Sequence, residues 1–415
     1  MKFNKWTLGL AAVGVVSWNS AASAQNAAAA PSTVLTSLSS TTLSGYVDTS
    51  AQWNLGTGNA NTPPYSFGGP SKADGFNLNV VQLSLDKPLD ESEWAAGYHV
   101  DLWLGPDANS LGTTSVFANS GSSDFAIRQA YVSLRTPVGN GIDWKIGVFD
   151  TVIGYESLSS PNNPNYTHSY GFTVEPTTHT GLLGTYKIND MLNVSVGIAN
   201  TFGPSINEKA QGPNTSSGGT MAESYKTYMA AIAFSAPTDW GWVGGSTLSL
   251  GVVNGFSSAA SAGNGGGQTS LYAGATVNTP MSALKLGAAF DYSEQRDAAE
   301  NSAGEITDGS VYAAALYASF QATEKLSLNL RGEFVDDSAE TLGNTSALGL
   351  GRAKIWAATA TAQYDLWKNV ISRVEFRWDH GDNGKFFGGN SNSSTASGPS
   401  RRNAVLVAAQ VIYKF

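Results

Sequence analysis

The sequence contains no cysteine, so it has no disulfide framework and no thiolate to act as nucleophile or metal ligand. Charge is also scarce. Asp, Glu, Lys and Arg make up 13% of the 415 residues, about half the share usual in soluble domains. Beyond the N-terminus no run of 18 apolar residues occurs, which excludes helical membrane spans. Catalytic signatures are missing too: there is no G-x-S-x-G, H-E-x-x-H, P-loop or G-x-G-x-x-G. The four histidines are widely spaced, and neither His99 nor His380 has a metal-ligand spacing. No cofactor is expected. Acids outnumber Lys and Arg by 32 to 23, which argues against a nucleic-acid partner.

What is present begins with MKFNKWTLGLAAVGVVSWNSAASAQ. Lys2 and Lys5 form a basic start, Trp6 to Trp18 an apolar stretch too short to span a bilayer, and Ala22-Ser23-Ala24 a cleavage box. Residues 1–24 therefore read as a signal peptide. Without them, 21 basic residues face 32 acids, a formal charge of −11. That charge favours soluble loops and, in a pore, cations. Residues 25–42 are small, polar and low in complexity and read as a linker. Residues 43–415 read as one domain.

The dominant period of that domain is two. Leu326, Leu328, Leu330 and Phe334 alternate with Ser327, Asn329, Arg331 and Glu333, and the same pattern recurs along the chain. It predicts sixteen strands, at 43–54, 76–87, 93–104, 124–136, 141–149, 178–188, 191–201, 224–235, 246–255, 269–279, 282–293, 309–322, 325–336, 352–366, 368–379 and 403–415. Most are long enough for a tilted membrane crossing.

The connections alternate as well. After each odd strand the gap is long, as in 55–75, 105–123 and 150–177, and after each even strand it is short, as in KPLDE, PVGN and ND. An all-β, transmembrane, antiparallel up-and-down barrel of 16 strands requires this, with short turns on the periplasmic side and long loops outside. Aromatics on the apolar parity sort by height. Trp94, Trp144, Tyr186, Phe234, Phe320, Tyr364 and Tyr413 fall at one end of their strands, and Trp53, Tyr228, Phe290, Tyr312, Phe334, Trp356 and Trp378 at the other. Two interfacial girdles are expected.

The opposite parity is polar and predicts an aqueous lumen, since sixteen strands leave a channel where eight do not. Its lining includes Asp48, Asp101, Asp143, Lys145, Glu333 and Glu375. In FAIRQAYVSLR the parity is ambiguous: either Arg128 or Gln129 faces inward. The third long loop, 150–177, carries Asp150, Glu156, His168 and Glu175, and the thirteenth and fifteenth strands supply Arg331, Arg373 and Arg377 from across the barrel. An infolded loop would set these acids against the arginines across the opening and create a transverse field. The alternative is a surface cap, with the arginines pairing along the wall with Glu333 and Glu375.

The stretches SGYVDTSAQWN (Ser44 to Asn54) and NPNYTHSYGFTVEPTTHTG (Asn163 to Gly181) resemble OmpL-like beta-barrel porins of Gram-negative bacteria. RQAYVSL at Arg128 to Leu134 is similar to a strand motif of the sixteen-stranded general diffusion porins, with Ser133 where those usually have Gly. The resemblance implies an outer-membrane channel for small hydrophilic solutes, a homotrimer, and contact with outer-membrane lipid and lipopolysaccharide. A terminal Phe415 with Tyr413 and alternating apolar residues before it resembles the signal read by the barrel assembly machinery. An adhesin or structural barrel is the first alternative. A rim hydrolase built on His168 or His179 is the second.

Overall fold

The period-two segments form sixteen antiparallel strands in the computed structural model, which describes residues 40–56, 59–68, 72–111, 113, 123–210, 225–256, 267–300, 306–338, 352–389 and 398–415. The first eight are β1 (Thr42–Asn54), β2 (Gly75–Lys87), β3 (Ala96–Leu104), β4 (Phe125–Thr136), β5 (Ile142–Asp150), β6 (Thr178–Lys187), β7 (Leu192–Ala199) and β8 (Thr227–Ser235). The second eight are β9 (Thr247–Phe256), β10 (Gly267–Asn278), β11 (Leu284–Glu300), β12 (Ile306–Gln321), β13 (Leu326–Asp337), β14 (Ala353–Trp367), β15 (Val370–Gly381) and β16 (Asn403–Lys414). Two short helices lie in loops, α1 (Pro106–Leu111) and α2 (Tyr170–Val174). Residues 1–39, expected to be a signal peptide and most of a linker, lie outside the described residues; Thr42 already belongs to β1.

Each strand pairs with its neighbours in sequence, and β16 pairs with β1 to close the barrel. Closure aligns Tyr46 with Lys414 and Asn54 with Leu406. At the seam, Gly45 and Phe415 exchange both backbone hydrogen bonds, at 2.9 and 3.0 Å. A Cβ on Gly45 would meet the Gln82 carbonyl oxygen at 2.1 Å and the Phe415 ring at 2.8 Å. The seam therefore needs glycine at this position.

Alternation sorts side chains by solvent. On β15, Arg373, Glu375, Arg377 and Asp379 are buried inside while Val374, Phe376 and Trp378 are exposed outside. The exposed aromatics gather at the two rims, Trp94, Phe320, Tyr364 and Tyr413 at the short-turn end and Trp53, Tyr228, Phe290, Tyr312, Trp356 and Trp378 at the long-loop end. Amphipathic rings prefer such heights at a membrane interface. Neighbouring rings also touch, as Phe334 and Trp356 do at 4.5 Å.

Three expectations need correction. The turn after β14 lies at Lys368-Asn369 rather than at residue 367, between the expected strands 352–366 and 368–379, because the ladder shifts register between Asp365 and Trp367 and carries the strand further. The inner wall is not uniformly polar. Val311, Ala313, Val335, Ile355 and Ala357 face inward and pack against Tyr170, Val174, Phe386 and Phe387, so infolded loops supply the apolar partner that water would otherwise replace. The choice between Arg128 and Gln129 also dissolves. Asp101 pairs with Gln129 and Leu102 with Ile127, leaving Arg128 as the extra residue of a bulge. A bulge breaks alternation, and both side chains are buried inside, where both bond Asp101.

Candidate functional site

The loop joining β5 to β6 enters the barrel because its sequence matches the wall it meets. Val152, Ile153 and Tyr155 join an apolar cluster with Phe149, Leu183, Met229, Val253 and Tyr317. The Tyr155 ring stacks on Tyr317 at 4.2 Å, and its hydroxyl lies 3.1 Å from Thr276 Oγ1. The polar middle of the loop organises itself. The Asn163 side chain accepts from Ser157 N–H at 2.7 Å and donates to the Ser157 carbonyl at 2.6 Å. A short turn at Ser160–Asn162 fits Pro161, and Ser169 caps α2 by accepting from Phe172 N–H.

A buried loop backbone must have its carbonyls satisfied, and three arginines of the facing wall do this. Arg373 donates to the carbonyls of Ser160 and Asn163. Arg331 donates to the Thr167 carbonyl at 2.6 Å and the His168 carbonyl at 3.2 Å. Arg377 donates to the His168 carbonyl at 2.6 Å, with its guanidinium against the rings of Tyr65 and Tyr170. The carboxylates of the same wall take the loop's N–H groups. Glu375 accepts from Tyr166 and Thr167 N–H at 2.6 and 3.0 Å, and Glu333 from Tyr170 N–H at 2.7 Å. Arg331 and Arg377 are also held by Glu333 and Asp379 on their own strands. The ladder of opposite charges on β13 and β15 thus grips both edges of one peptide segment.

The acids of the loop have three different placements. Glu156 lies 3.0 Å from Arg331, in contact rather than across an opening, and also accepts from Tyr317, Ser169 and His168. Burial alone would raise its pKa, yet Arg331 and His168 hold the carboxyl down at about 2. Asp150 meets Arg128 of the adjacent strand instead of the distant arginines. Glu175 sits beside Asp291 of β11, an acid, so burial and the neighbouring carboxyl push it well above the ordinary range. A Cβ on Gly154, whose φ is +119°, would lie 2.5 Å from Glu175 Oε2, so glycine lets the loop close over this carboxyl.

The other inward residues lie on the wall. Asp48 accepts from Asn79 and Gln410, and Asp101 binds Arg128, Gln129, Ser84 and His99. Asp143 pairs with Arg135 at 2.6 Å, and Lys145 lies 4.8 Å from the Tyr131 ring centre. Loops one and two also contribute, and their residues carried no periodic mark in the sequence. Tyr65 donates to Asp379 at 2.8 Å, Phe67 packs edge-on to Trp103 and His168, and Lys72 pairs with Asp107 of α1. Burial raises Asp107 to about 7 against the pull of Lys72.

Between the infolded loop and the wall of β1, β2, β3 and β16 a small void of about 30 Å³ remains, lined by Tyr46, Asp48, Trp103, Leu158, Tyr166 and Gln410.

Residues 40–415 match the family model described as Putative beta-barrel porin-2, OmpL-like. The chain belongs to this family. Family and fold together place it in the outer membrane of a Gram-negative bacterium. Among solved structures it is similar to the outer-membrane channel DcaP of Acinetobacter baumannii, at 15% identity and a TM-score of 0.57 over 90% of this chain and 97% of that one. An anion-selective porin from Comamonas acidovorans is similar at 14% identity and 0.57, over 91% and 99%. The trimer form of Vibrio cholerae OmpT, an outer membrane protein, gives 13% and 0.55, over 90% and 99%. At such identities the likeness is one of fold. No curated protein matches the sequence.

Proposed function

We propose that this barrel is a passive diffusion channel for small hydrophilic solutes and ions, exported by the leader 1–24, with no catalytic step. The observation that carries the reading is a closed sixteen-stranded barrel whose wall charges hold a loop inside the lumen by its own backbone. A barrel of this size encloses an aqueous channel, and an infolded loop narrows it. Asp150, Glu156, Glu175, Arg331, Arg373 and Arg377 then shape the constriction mainly by fixing the loop. Asp48, Asp101, Asp143, Lys145, Glu333 and Glu375 give the wall its polarity. The acidic excess favours cations.

Homotrimers fit the reading, because one similar structure is a trimer. Small outward side chains at Ala273, Ala275, Ala314, Ala318, Ala358, Ala360 and Ala362 permit close protomer approach. Phe415 and Tyr413, on the closing strand, serve as the assembly signal. The test is single-channel conductance in a planar bilayer under a salt gradient. Stable steps with a reversal potential of modest cation preference support the channel. Silence from a correctly folded barrel removes it.

A further inference from the structure

The long-loop rim is polarised by charge. Residues 294–308, at the end of β11 and the start of β12, hold five acids and one arginine, whereas residues 380–402, at the end of β15 and leading into β16, hold one acid and three Lys or Arg. In a chain with 32 acids against 23 Lys and Arg, the second composition is a local reversal. Backbone bonding brings the start of β14 to the same place. Asp382 N–H donates to the Lys354 carbonyl at 2.8 Å, the Asn383 amide to the Arg352 carbonyl at 3.3 Å, and the Arg402 guanidinium to the Asp382 carbonyl at 2.7 Å. Arg352, Lys354, Lys385 and Arg402 are all exposed. Asp336 pairs with Lys354 at 3.1 Å, while Lys385 and Arg402 pair with no acid among the described residues.

Height sets these cations at the membrane surface. Lys354 continues the outward parity of Trp356, Ala358 and Ala360, and stands two residues, about 7 Å of strand, beyond the Trp356 ring of the girdle. One rung below, Trp356 pairs with His380 and His380 with Asn403. Asn403 Oδ1 accepts from Trp378 Nε1 at 3.0 Å and lies 2.8 Å from His380 Nδ1, and the His380 ring stacks on Trp378. The polar edge of Trp378 is thereby tied to the last polar row above the girdle, the arrangement of rings at headgroup level. Below that row the outer faces of β15 and β16 are bulky and apolar, with Val374, Phe376, Trp378 and Val411 exposed. Cations directly above an apolar wall match a molecule with an anionic head and acyl chains, whereas a free anion gains nothing from the wall.

We propose that the outer rim of β14 to β16 binds the phosphorylated headgroup of an outer-leaflet lipid, with Lys354, Lys385 and Arg402 on the phosphate and the wall of β15 and β16 against the acyl chains. A protomer seated on the alanine face of β10, β12 and β14 leaves β15 and β16 to this lipid. The site needs a barrel in the outer membrane and does not depend on whether that barrel conducts.

The probes are lipid A carrying both phosphates and its dephosphorylated form with the same acyl chains, titrated against the folded protein in detergent by native mass spectrometry. Each Lys or Arg near a lipid phosphate is worth about a factor of five, so the wild type binds the phosphorylated form about a hundredfold more tightly. Lys354→Gln, Lys385→Gln and Arg402→Gln together abolish that preference. Arg296→Gln, which removes an exposed cation from the rim of β11 and β12, leaves it intact. Heat-modifiable gel migration reports that each variant is folded, and Arg402→Gln alone, with a loss of about fivefold, decides the matter if the triple variant does not fold. Equal affinity of the wild type for the two lipids, or an undiminished preference in the rim variants, overturns the proposal. An equal loss in Arg296→Gln also overturns it, since the attraction would then be one of overall charge. Displacement of the lipid by inorganic phosphate at matched concentration would assign the cations to a free anion and overturn it as well.

Discussion

Replacing Arg331 with Met gives the sharpest test of the arginine clamp. The substitution keeps most of the side-chain volume and removes donors to Glu156, Glu333 and the carbonyls of Thr167 and His168. Glu333 retains Arg377 at 3.6 Å and Tyr170 N–H at 2.7 Å. Glu156, 6% exposed, loses its one arginine partner among the described residues. Breaking a buried ion pair on one side costs about 3–5 kcal/mol. The barrel's ladders do not involve this side chain, so the loss falls on loop docking. At about 1.4 kcal/mol per factor of ten, the ratio of released to docked loop rises at least a hundredfold. Chymotrypsin, added to liposomes from the long-loop side, then cuts at Tyr166, Tyr170 or Phe172, which the wild-type loop protects. Current noise rises in parallel, and the heat-modifiable migration of the folded barrel stays. Arg331→Met with Glu156→Gln restores much of the protection, because removing both charges leaves none unpaired. A single variant as resistant as the wild type refutes the clamp.

Two further outcomes follow from the same contacts. Glu175, crowded by Asp291 of β11 and Glu156 of its own loop and close to Tyr272, has a pKa raised in the folded state. The docked loop therefore binds more protons than the released one, and its stability falls as pH rises above about 4.5 toward the raised value. Chymotrypsin cleavage increases with pH in the wild type and flattens in Glu175→Gln; equal profiles in the two proteins rule this origin out. At the seam, Gly45→Ala forces a Cβ against the Gln82 carbonyl and the Phe415 ring, an overpacking of about 1–3 kcal/mol. The temperature at which the barrel loses its compact gel migration drops, and an unchanged midpoint contradicts the close approach.

The strands were legible because membrane and lumen impose opposite solvents on alternate residues. Most ends agree with the sequence within a few residues. The hairpin of β11 and β12 runs longer than expected, since the ladder shifts register between Gln295 and Ala299 before resuming, and such a shift breaks the alternation that marks a strand in the sequence. The inward path of the third loop was legible only as a density of acids and turn residues. Arg331, Arg373 and Arg377 were legible as its partners, but most of the groups they bind were not, because these are backbone carbonyls, and a carbonyl leaves no mark in a sequence. Arg128 and Asn79 were obscured for another reason: a bulge at each shifts parity without changing composition. Tyr65, Phe67, Lys72 and Asp107 come from loops with no period to assign them a side.

The absence of native cysteine permits a direct measurement of where the loop lies. A Cβ on Gly251 of β9 would be 2.5 Å from Ile153 Cγ2, so the two Cβ positions are at most about 4 Å apart, within disulfide range. In the double variant Gly251→Cys, Ile153→Cys, mild oxidation of folded protein in membranes should join the two residues, with conductance close to the reduced form. Two free thiols in an intact barrel would contradict a loop held inside the lumen, and with it the account of the constriction.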